Sequence, residues 1–421
     1  MESSGVCQWK QASYIKAGAG LKETIVSCTS GVVLRRCSVK RKLRIAFGFP
    51  SGIAMTERLQ HGIFDYAKKR GGWSFTRSPE MLGTSLGWLR NWPGDGAFIF
   101  VTTPEENRYA KCLGIPVVNL SSHLAKPDFP TVTTDHRAIG RMAAKHLLAR
   151  KFRRLAFYGT EGLYYMEERF KGFHEIARAH ASLDRLMVPL PTSAHFRWRN
   201  QESALDRWLR KLTPPFGIFA GTDLRASMVL DACARIGLRV PQDVAVLGVD
   251  NDPLVCEMCQ PSLSSVSRND FEVGRRAAAV LEALIDSGKN QRWLLVPPDE
   301  IVQRESTVTF AVEDPVIAEA LVRIQNEIAR PFGAAEIAAR APISRRRFEA
   351  RFRKAVGCSP YSFINGLRIE HAKSLLTSLP ERSLTDVAAL CGFSNPRRFR
   401  LVFQRVSGVL PSTWRDSERG T

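Results

Sequence analysis

The feature that most constrains the fold is an alternation of two kinds of segment between residues 43 and 314. Short apolar runs bounded by Gly, Pro or polar residues are typical of buried strands, and they lie at residues 43–48, 96–101, 115–119, 154–159, 217–221 and 244–249. Amphipathic stretches typical of helices lie at residues 55–69, 139–149, 168–179, 203–212 and 225–236. Strands that alternate with helices predict parallel sheets. A pattern of this length exceeds one compact core, so we predict two similar α/β lobes with a cleft between them.

The pattern changes after a polar, proline-rich segment at residues 297–315, because no strand-like run follows and the remaining apolar residues recur with helical period. We therefore predict three parts. Residues 1–42 form a basic leader that is mostly disordered or a start-site artefact, residues 43–312 form the two-lobed α/β domain, and residues 313–421 form an all-helical domain.

The formal net charge of +20 is concentrated at the two ends of the chain. Residues 1–42 carry 8 basic and 2 acidic side chains, residues 43–314 carry 35 and 30, and residues 315–421 carry 18 and 9. Most cations of the last segment are arginines, whose planar guanidinium suits phosphate groups and guanine edges. Double-stranded DNA is therefore the expected partner of this segment.

Acidic residues follow several predicted strands of the α/β part. Asp135 follows Val132, Asp223 follows the run at 217–221, and Asp250 and Asn251 follow the run at 244–249. Ligands of such sheets bind beyond the carboxyl ends of the strands, and carboxylates accept paired hydrogen bonds from vicinal hydroxyls. These residues therefore favour a sugar or polyol ligand, with the alternative that each Asp caps the following helix or loop.

Two similar helix-turn-helix units are predicted in the C-terminal part. In the second helix of the first unit, Phe348 and Phe352 form an inner pair, and in that of the second unit Phe399 and Phe403 do so. Ser344 is expected to cap the first of these helices, and Ser394 or Asn395 the second. The outward side chains are the candidates for major-groove contacts, namely Arg345, Arg346, Glu349, Asn395, Arg397, Arg398 and Arg400.

Other classes of protein find little support. Phosphate-loop, dinucleotide and nucleophile-elbow motifs are absent from the sequence, so we expect no enzyme, no cofactor and no metal ion. Cys256 and Cys259 could form half of a zinc site, but no second ligand pair follows at the required spacing. No run approaches the ~18 apolar residues of a membrane helix, and residues 1–42 lack the apolar core of a secretory signal. We expect a cytoplasmic, nucleoid-associated protein with no membrane partner.

The C-terminal residues 315–416 resemble the AraC/XylS family of DNA-binding domains. The first half matches in Ser344, Phe348, Phe352, Gly357, Cys358, Ser359 and Pro360. The second half matches in Cys391, Gly392, Phe393, Ser394, Phe399, Phe403, Gly408, Pro411 and Trp414. The resemblance implies that a long helix at residues 360–378 holds two reading heads, which enter successive major grooves on one face of the DNA.

The α/β part resembles the sugar sensors of the lac-repressor and ribose-binding class. Matching segments include Thr134-Asp135, Arg169 with Gly172-Phe173, Gly221-Thr222-Asp223, and the run from Val240 to Asp250. The resemblance implies that Asp135, Arg169, Asp223 and Asp250 contact a sugar, with Asn251 nearby. Repressors of this class often have Asn-Asp where this chain has Thr222-Asp223, which leaves the hydroxyl preference open. Their N-terminal DNA-binding headpiece is also missing, and residues 1–42 stand in its place.

A sensor of this class placed before an AraC-type domain is similar to the arrangement in regulators of xylose operons. It implies a sugar-responsive transcription activator of pentose utilisation genes, with D-xylose as effector, a homodimeric state and RNA polymerase as a further candidate partner. Another sugar, or repression instead of activation, is the open alternative. An α/β enzyme, a sugar-transport binding protein and a constitutive nucleoid protein are the rival classes.

Overall fold

The computed structural model describes residues 14–15, 23–24, 27–28, 31–32, 42–78, 86–190, 198–288, 292–379 and 381–419. Within the leader it gives only four two-residue strands, which are β1 Tyr14–Ile15, β2 Glu23–Thr24, β3 Ser27–Cys28 and β4 Gly31–Val32. The other residues of the leader, and with them its predicted disorder, lie outside the described residues. Two compact units make up the chain: residues 1–135 with 269–297, and residues 136–268 with 298–421.

Strands and helices alternate from residue 43 onward. In chain order the elements are β5 Leu43–Gly48, α1 Ala54–Arg70, β6 Trp73–Arg77, β7 Gly96–Ile99, α2 Pro104–Ala110, β8 Val117–Asn119, β9 Thr131–Thr134, α3 His136–Ala149, β10 Arg154–Thr160, α4 Tyr164–Ala177, β11 Ser182–Val188, α5 Trp198–Lys211, β12 Phe216–Ala220, α6 Asp223–Ile236, β13 Val244–Val249, α7 Pro253–Met258, β14 Ser264–Val266, α8 Asp270–Ser287, β15 Trp293–Val296 and β16 Ile301–Val302. A 3₁₀ helix at Glu305–Thr307 follows.

Each unit contains a six-stranded sheet. The first is ordered β15-β9-β8-β7-β5-β6, with every pair parallel. The second is ordered β11-β10-β12-β13-β14-β16, and only the β14–β16 pair is antiparallel. The predicted α/β class with parallel sheets in two lobes is confirmed. The central strands are apolar on both faces because helices cover both sides of such sheets, and all six residues of β13 are buried.

Six strands of the two sheets are missing from the predicted runs, and their composition or length explains why. β6 reads Trp-Ser-Phe-Thr-Arg and β11 reads Ser-Leu-Asp-Arg-Leu-Met-Val, and both lie at sheet edges, where polar side chains reach solvent. β9, β14, β15 and β16 have two to four residues each, too few for a period to be recognised.

The last part of unit two is helical wherever it is described. Its elements are α9 Pro315–Asn326, α10 Ala334–Ala339, α11 Arg345–Val356, α12 Pro360–Ser378, α13 Leu384–Leu390, α14 Pro396–Ser407 and α15 Pro411–Arg419. Phe348 and Phe352 belong to one apolar core with α9, and Phe399 and Phe403 belong to a second core with α12 and α13. All four rings are at most 1% exposed, so the predicted inner pairs are confirmed. The boundary at residues 312 and 313 stays a prediction.

None of the helices in the described part of the chain is long and apolar enough to cross a membrane.

Candidate functional site

The candidate ligand residues fall in both units. Arg169, Asp223, Asp250 and Asn251 belong to the second unit, where they lie on α4 and at the carboxyl ends of β12 and β13. Asp135 belongs to the first unit and follows β9, and its backbone N–H donates to the carbonyl of Val296 at 2.7 Å. The second unit therefore brings four of the five predicted residues together.

The position of Arg169 is set by a close helix–helix contact. A Cβ on Gly140 of α3 would lie 2.0 Å from the Arg169 carbonyl oxygen, and a Cβ on Gly172 of α4 would lie 1.9 Å from that of Arg137. Only glycine permits this approach of the two backbones. The pairing of α3 with α4 therefore holds the Arg169 backbone against α3.

The Arg169 side chain is fully buried and only partly satisfied. Its Nε donates to His136 Nδ1 at 3.3 Å, its Nη1 donates to the Gly221 carbonyl, and its guanidinium carbon lies 5.0 Å from the centroid of the Tyr165 ring. Nη2 lies 3.6 Å from Asp250 Oδ1 and has no hydrogen-bond partner among the described residues. Burial lowers the pKa of Arg169, while the Asp250 carboxylate opposes that shift. A buried donor without an acceptor costs about 1–3 kcal/mol, so this atom is suited to an oxygen of a ligand.

The turn after β13 is strained and held by several hydrogen bonds. Asp250 and Asn251 have φ values of 113° and 47°, a region that residues other than glycine rarely adopt. The N–H of Asn251 donates to Ser265 Oγ at 2.9 Å, and the N–H of Asp252 donates to Asp223 Oδ2 at 2.9 Å. The turn directs the Asp250 carboxylate toward two guanidinium groups, with Arg268 Nη1 at 3.4 Å and Arg169 Nη2 at 3.6 Å.

Asp223 has an internal role in this turn. Its side chain is buried, accepts a hydrogen bond from Ser265 Oγ at 2.6 Å, and lies 3.5 Å from Cys256 Sγ. Burial and the charge of Asp250 raise the pKa of Asp223 to about 7. It thus supports the backbone that carries Asp250, and its predicted contact with a ligand stays a prediction.

The capping alternative holds for neighbouring residues. Thr222 Oγ1 accepts from the N–H of Arg225 at 3.2 Å at the start of α6. Asp252 Oδ1 accepts from the N–H groups of Leu254 and Val255 at 3.0 and 3.4 Å at the start of α7. The polar residues after these strands therefore divide into helix caps and residues of the candidate ligand site.

Several residues of this site were not predicted. Arg268 pairs with Asp250, Tyr165 lies against Arg169, and Ser265 links Asp223 to Asn251. Arg268 follows β14 by two residues, so the rule that placed the other residues after strands would have identified it. That strand is three residues long and was not recognised as one.

The candidate DNA interface lies on the outer faces of α11 and α14. Arg346, Arg397 and Arg400 are exposed, and none of their guanidinium groups has a hydrogen bond or ion pair with the described part of the chain. Each lies on the second helix of a helix-turn-helix unit, which is the helix that enters the major groove in such proteins. These three side chains are available to a partner.

Four other candidate DNA-binding residues have partners within the chain. Arg345 and Glu349 form an ion pair at 2.9 Å. Asn395 Oδ1 caps α14 by accepting from the N–H groups of Arg397 and Arg398 at 2.8 and 3.3 Å. The Arg398 guanidinium lies 5.8 Å from the Tyr361 ring centroid, and its hydrogen bond lowers the pKa of the Tyr361 hydroxyl.

Ser344 stands at the N-cap position of α11, but its side chain accepts no capping hydrogen bond. The predicted cap is therefore made at α14, by Asn395, and not at α11.

Comparisons with known proteins match both parts of the chain. Residues 144–307 match the model of a periplasmic binding protein-like domain, and residues 337–417 match that of a helix-turn-helix domain. The xylose operon regulatory protein of Escherichia coli (strain K12) is 28% identical over 385 residues, which cover 89% of this chain and 97% of that protein. The chain is a DNA-binding transcription regulator. Arg169, Asp223, Asp250 and Asn251 lie in the first of these domains, and the candidate base-reading residues lie in the second.

Solved structures extend the comparison. The regulator superposes on the xylose-binding transcription activator XylR with a TM-score of 0.57 and 27% identity, over 90% of this chain and 99% of that one. The xylose operon regulatory protein of Haemophilus influenzae is 28% identical over 69% of this chain and 75% of its own length. The transcription regulator CcpA of Lactococcus lactis shares its fold with 63% of this chain over 100% of its own, at 20% identity and a TM-score of 0.52.

Proposed function

We propose that this regulator is an activator of pentose utilisation genes and that its effector is D-xylose. The similarity to xylose operon regulatory proteins extends over both domains and most of the chain, and the structure it resembles at 27% identity is that of a xylose-binding activator. It acts by binding DNA and has no catalytic role in this proposal. Its place is the cytoplasm, in association with the nucleoid.

The observation that carries the sugar proposal is the state of Arg169. Its Nη2 is buried without a hydrogen-bond partner, and the Asp250 carboxylate lies 3.6 Å from it. A sugar hydroxyl is both a donor and an acceptor, so one hydroxyl can accept from Arg169 while it donates to Asp250. Two vicinal hydroxyls satisfy the pair equally well. Asp135, Asp223 and Asn251 complete the proposed ligand set.

DNA recognition in this proposal uses both reading heads. Arg346 and Glu349 of α11, with Arg345, read one major groove, and Asn395, Arg397, Arg398 and Arg400 of α14 read the next. A homodimer binds two half-sites and gains affinity because the second contact is intramolecular. RNA polymerase is the partner through which the bound dimer activates transcription. The sugar shifts this equilibrium only if it binds one arrangement more tightly than another.

The ligand is tested by isothermal titration calorimetry and thermal unfolding of the full chain with D-xylose, L-arabinose, D-ribose and D-glucose. A ligand at 100 times its dissociation constant stabilises the protein by about 2.7 kcal/mol. We expect D-xylose to give the tightest binding. Absence of heat and of stabilisation with every sugar would refute the proposal.

Asp250→Asn and Arg169→Lys test the site itself. Loss of a charge-assisted hydrogen bond costs about 1.5–3 kcal/mol, which is a loss of about 10- to 150-fold in affinity. Asp206→Asn is the matched control, because Asp206 lies in the same unit but pairs with Arg235 on the surface. It should bind the sugar as the wild type does.

An acidic sugar is a second candidate, favoured by the charge around the turn. Arg169 and Arg268 both adjoin Asp250, and Arg304 Nη2 donates to Asn251 Oδ1 at 3.0 Å. Two guanidinium groups therefore adjoin the partly exposed Asp250 carboxylate, and a third binds the side chain of the next residue. D-xylonate is titrated in the same calorimetry. Tighter binding of D-xylonate than of D-xylose would show that the effector is the acid and not the neutral pentose.

A further inference from the structure

The chain leaves the sensor through a segment that is bound to the turn carrying Asp250 and Asn251. Arg304 follows β16, and its guanidinium donates to Asn251 Oδ1 at 3.0 Å and to the Leu263 carbonyl at 2.9 Å. The two acceptors fix the planar fork in one orientation. Arg304 therefore links the candidate ligand turn to the start of the connection with the helical domain.

A buried chain of hydrogen bonds continues from the Arg304 backbone. Ser264 Oγ donates to the Arg304 carbonyl at 2.9 Å, and Thr307 Oγ1 donates to Ser264 Oγ at 2.8 Å. His146 Nε2 lies 3.1 Å from Thr307 Oγ1, and Arg150 Nη1 lies 3.0 Å from His146 Nδ1.

Each hydrogen bond in this series has one possible donor. Arginine is always a donor, so His146 Nδ1 accepts and its Nε2 carries the proton toward Thr307. Burial, with the nearby charge of Arg150, lowers the pKa of His146 well below its usual value, which fits this neutral ring. The order Arg150, His146, Thr307, Ser264, Arg304 is therefore fixed.

Arg150 connects this series of hydrogen bonds to the helical domain. Its side chain is buried, and its partners are all neutral: Nε donates to the Thr307 carbonyl at 2.9 Å, Nη1 also donates to the His146 carbonyl, and Nη2 donates to Gln303 Oε1. The same oxygen of Gln303 accepts from Gln325 Nε2 at 2.5 Å. Gln325 lies on α9, so the hydrogen bonds run without a gap from Asn251 to the DNA-binding domain.

Further contacts hold the first reading head to the second lobe. Phe310 is 5% exposed and belongs to the core formed with α9 and α11. Lys151 Nζ donates to the Val356 carbonyl at the end of α11 at 3.1 Å, and Arg351 of α11 makes two bonds of 2.6 Å to Asp314. A displacement of residues 303–314 therefore moves α11.

We propose that Arg304 is a positioning residue that transmits the state of the ligand turn, through Asn251 and the buried Arg150 network, to the DNA-binding helices. This proposal rests on the function proposed above, since it concerns how ligand binding reaches DNA. In this scheme Arg304 touches neither the sugar nor the DNA. It acts through Asn251 on one side and through the Arg150 network on the other.

The first test separates coupling from binding. The full chain and its Arg304→Gln and Arg304→Lys variants are titrated with D-xylose, and their affinity for a genomic fragment selected by the wild type is measured with and without D-xylose. Coupling in ligand-controlled proteins changes affinity by about 5- to 150-fold. We expect the ratio of the DNA affinity with D-xylose to the DNA affinity without it to fall toward 1 in Arg304→Gln. The DNA affinity without sugar should stay within about 3-fold of wild type. Arg304→Lys, which keeps the charge but not the fork, should lie between them. A purely structural role would lower both affinities and leave their ratio unchanged.

The second test needs no ligand. Asn251→Ala removes the acceptor of Arg304 at the ligand turn, and hydrogen–deuterium exchange of the full chain is followed over α9. We expect faster exchange in α9, which Asn251 does not touch. Asp252→Ala is the matched control in the same turn, because Asp252 caps α7 and no hydrogen bond joins it to Arg304 in the described part of the chain. It should raise exchange in α7 alone.

The outcomes distinguish the two proposals. If the wild type shows no response to D-xylose but Asn251→Ala loosens α9, the effector is wrong and the relay stands. If the wild type responds to D-xylose and Arg304→Gln keeps the full ratio, the relay is wrong and the effector stands. Unchanged exchange in α9 of Asn251→Ala overturns the relay in either case.

Discussion

Gly140→Ala is the sharpest test of how packing sets the ligand site. The new Cβ would lie 2.0 Å from the Arg169 carbonyl oxygen and 2.6 Å from the Phe173 nitrogen, both backbone atoms that cannot rotate away. Ordinary contact needs about 3.5–4.0 Å between such atoms, so α3 and α4 must separate by more than an ångström. Overpacking of this kind costs about 1–3 kcal/mol.

The separation should move Arg169 as well as destabilise the fold. Misplacement of a binding group by about 1 Å can cost about 100-fold in a process that depends on its geometry, so we expect the affinity for the effector to fall by at least 10-fold. Urea unfolding gives the stability of the variant, and calorimetry with D-xylose gives its affinity at a temperature where the protein remains folded.

Gly62→Ala is the matched control for this experiment. Its Cβ would lie 1.9 Å from the Phe271 carbonyl oxygen, so it forces α1 away from α8 in the first unit by the same kind of clash. It should lose similar stability and keep Arg169 in place. Equal losses of ligand affinity in the two variants would refute the claim that the α3–α4 contact positions Arg169.

Three further predictions follow from other parts of the molecule. Arg397→Ala should lose about 1–3 kcal/mol of DNA binding and relax base choice at one position, measured by competitive binding against randomised sites, with Arg340→Ala as the ion-paired control. Phe352→Ala should cost about 3–5 kcal/mol in chemical unfolding, and a loss below 1 kcal/mol would contradict its place in the core. The raised pKa of Asp223 means that the folded state holds a proton the unfolded chain has lost, so its contribution to stability falls as pH rises from about 4 to about 7. In Asp223→Asn the free energy of unfolding should depend less on pH between about 4 and about 7. An unchanged pH profile of that free energy would contradict this prediction.

Much of the fold could be predicted because the buried strands are apolar throughout. The predicted run at 244–249 coincides with β13, and the long helix predicted at 360–378 coincides with α12. Edge strands such as β11 could not be recognised, since a strand with one solvated side carries the same polar residues as a loop. Local pattern identifies an element only when the whole element is buried or strictly periodic.

The candidate site could be predicted only in part, for a different reason. Residues after strands are local features, so Asp250 and Asn251 were identifiable. The partners that hold them are distant in sequence: Arg304 is 53 residues from Asn251, and Gln303 is 153 residues from Arg150. A single sequence carries no signal for such pairs. The helix–helix approach at Gly140 is equally hidden, because a glycine in a helical stretch normally indicates only a weaker helix.

The strength of the junction limits how a ligand can act on DNA binding. Burial of Phe310 contributes about 1.5–3 kcal/mol, and the hydrogen bonds from Lys151 to the Val356 carbonyl and from Gln325 to Gln303 add about 1 kcal/mol each. Ligand coupling is typically about 1–3 kcal/mol, which is less than this sum. Ligand binding therefore cannot release the helical domain from the second lobe. Ligand binding must instead reorient the second lobe and the helical domain together. The reading head that moves with the lobe is α11, which Lys151 and Phe310 hold to it.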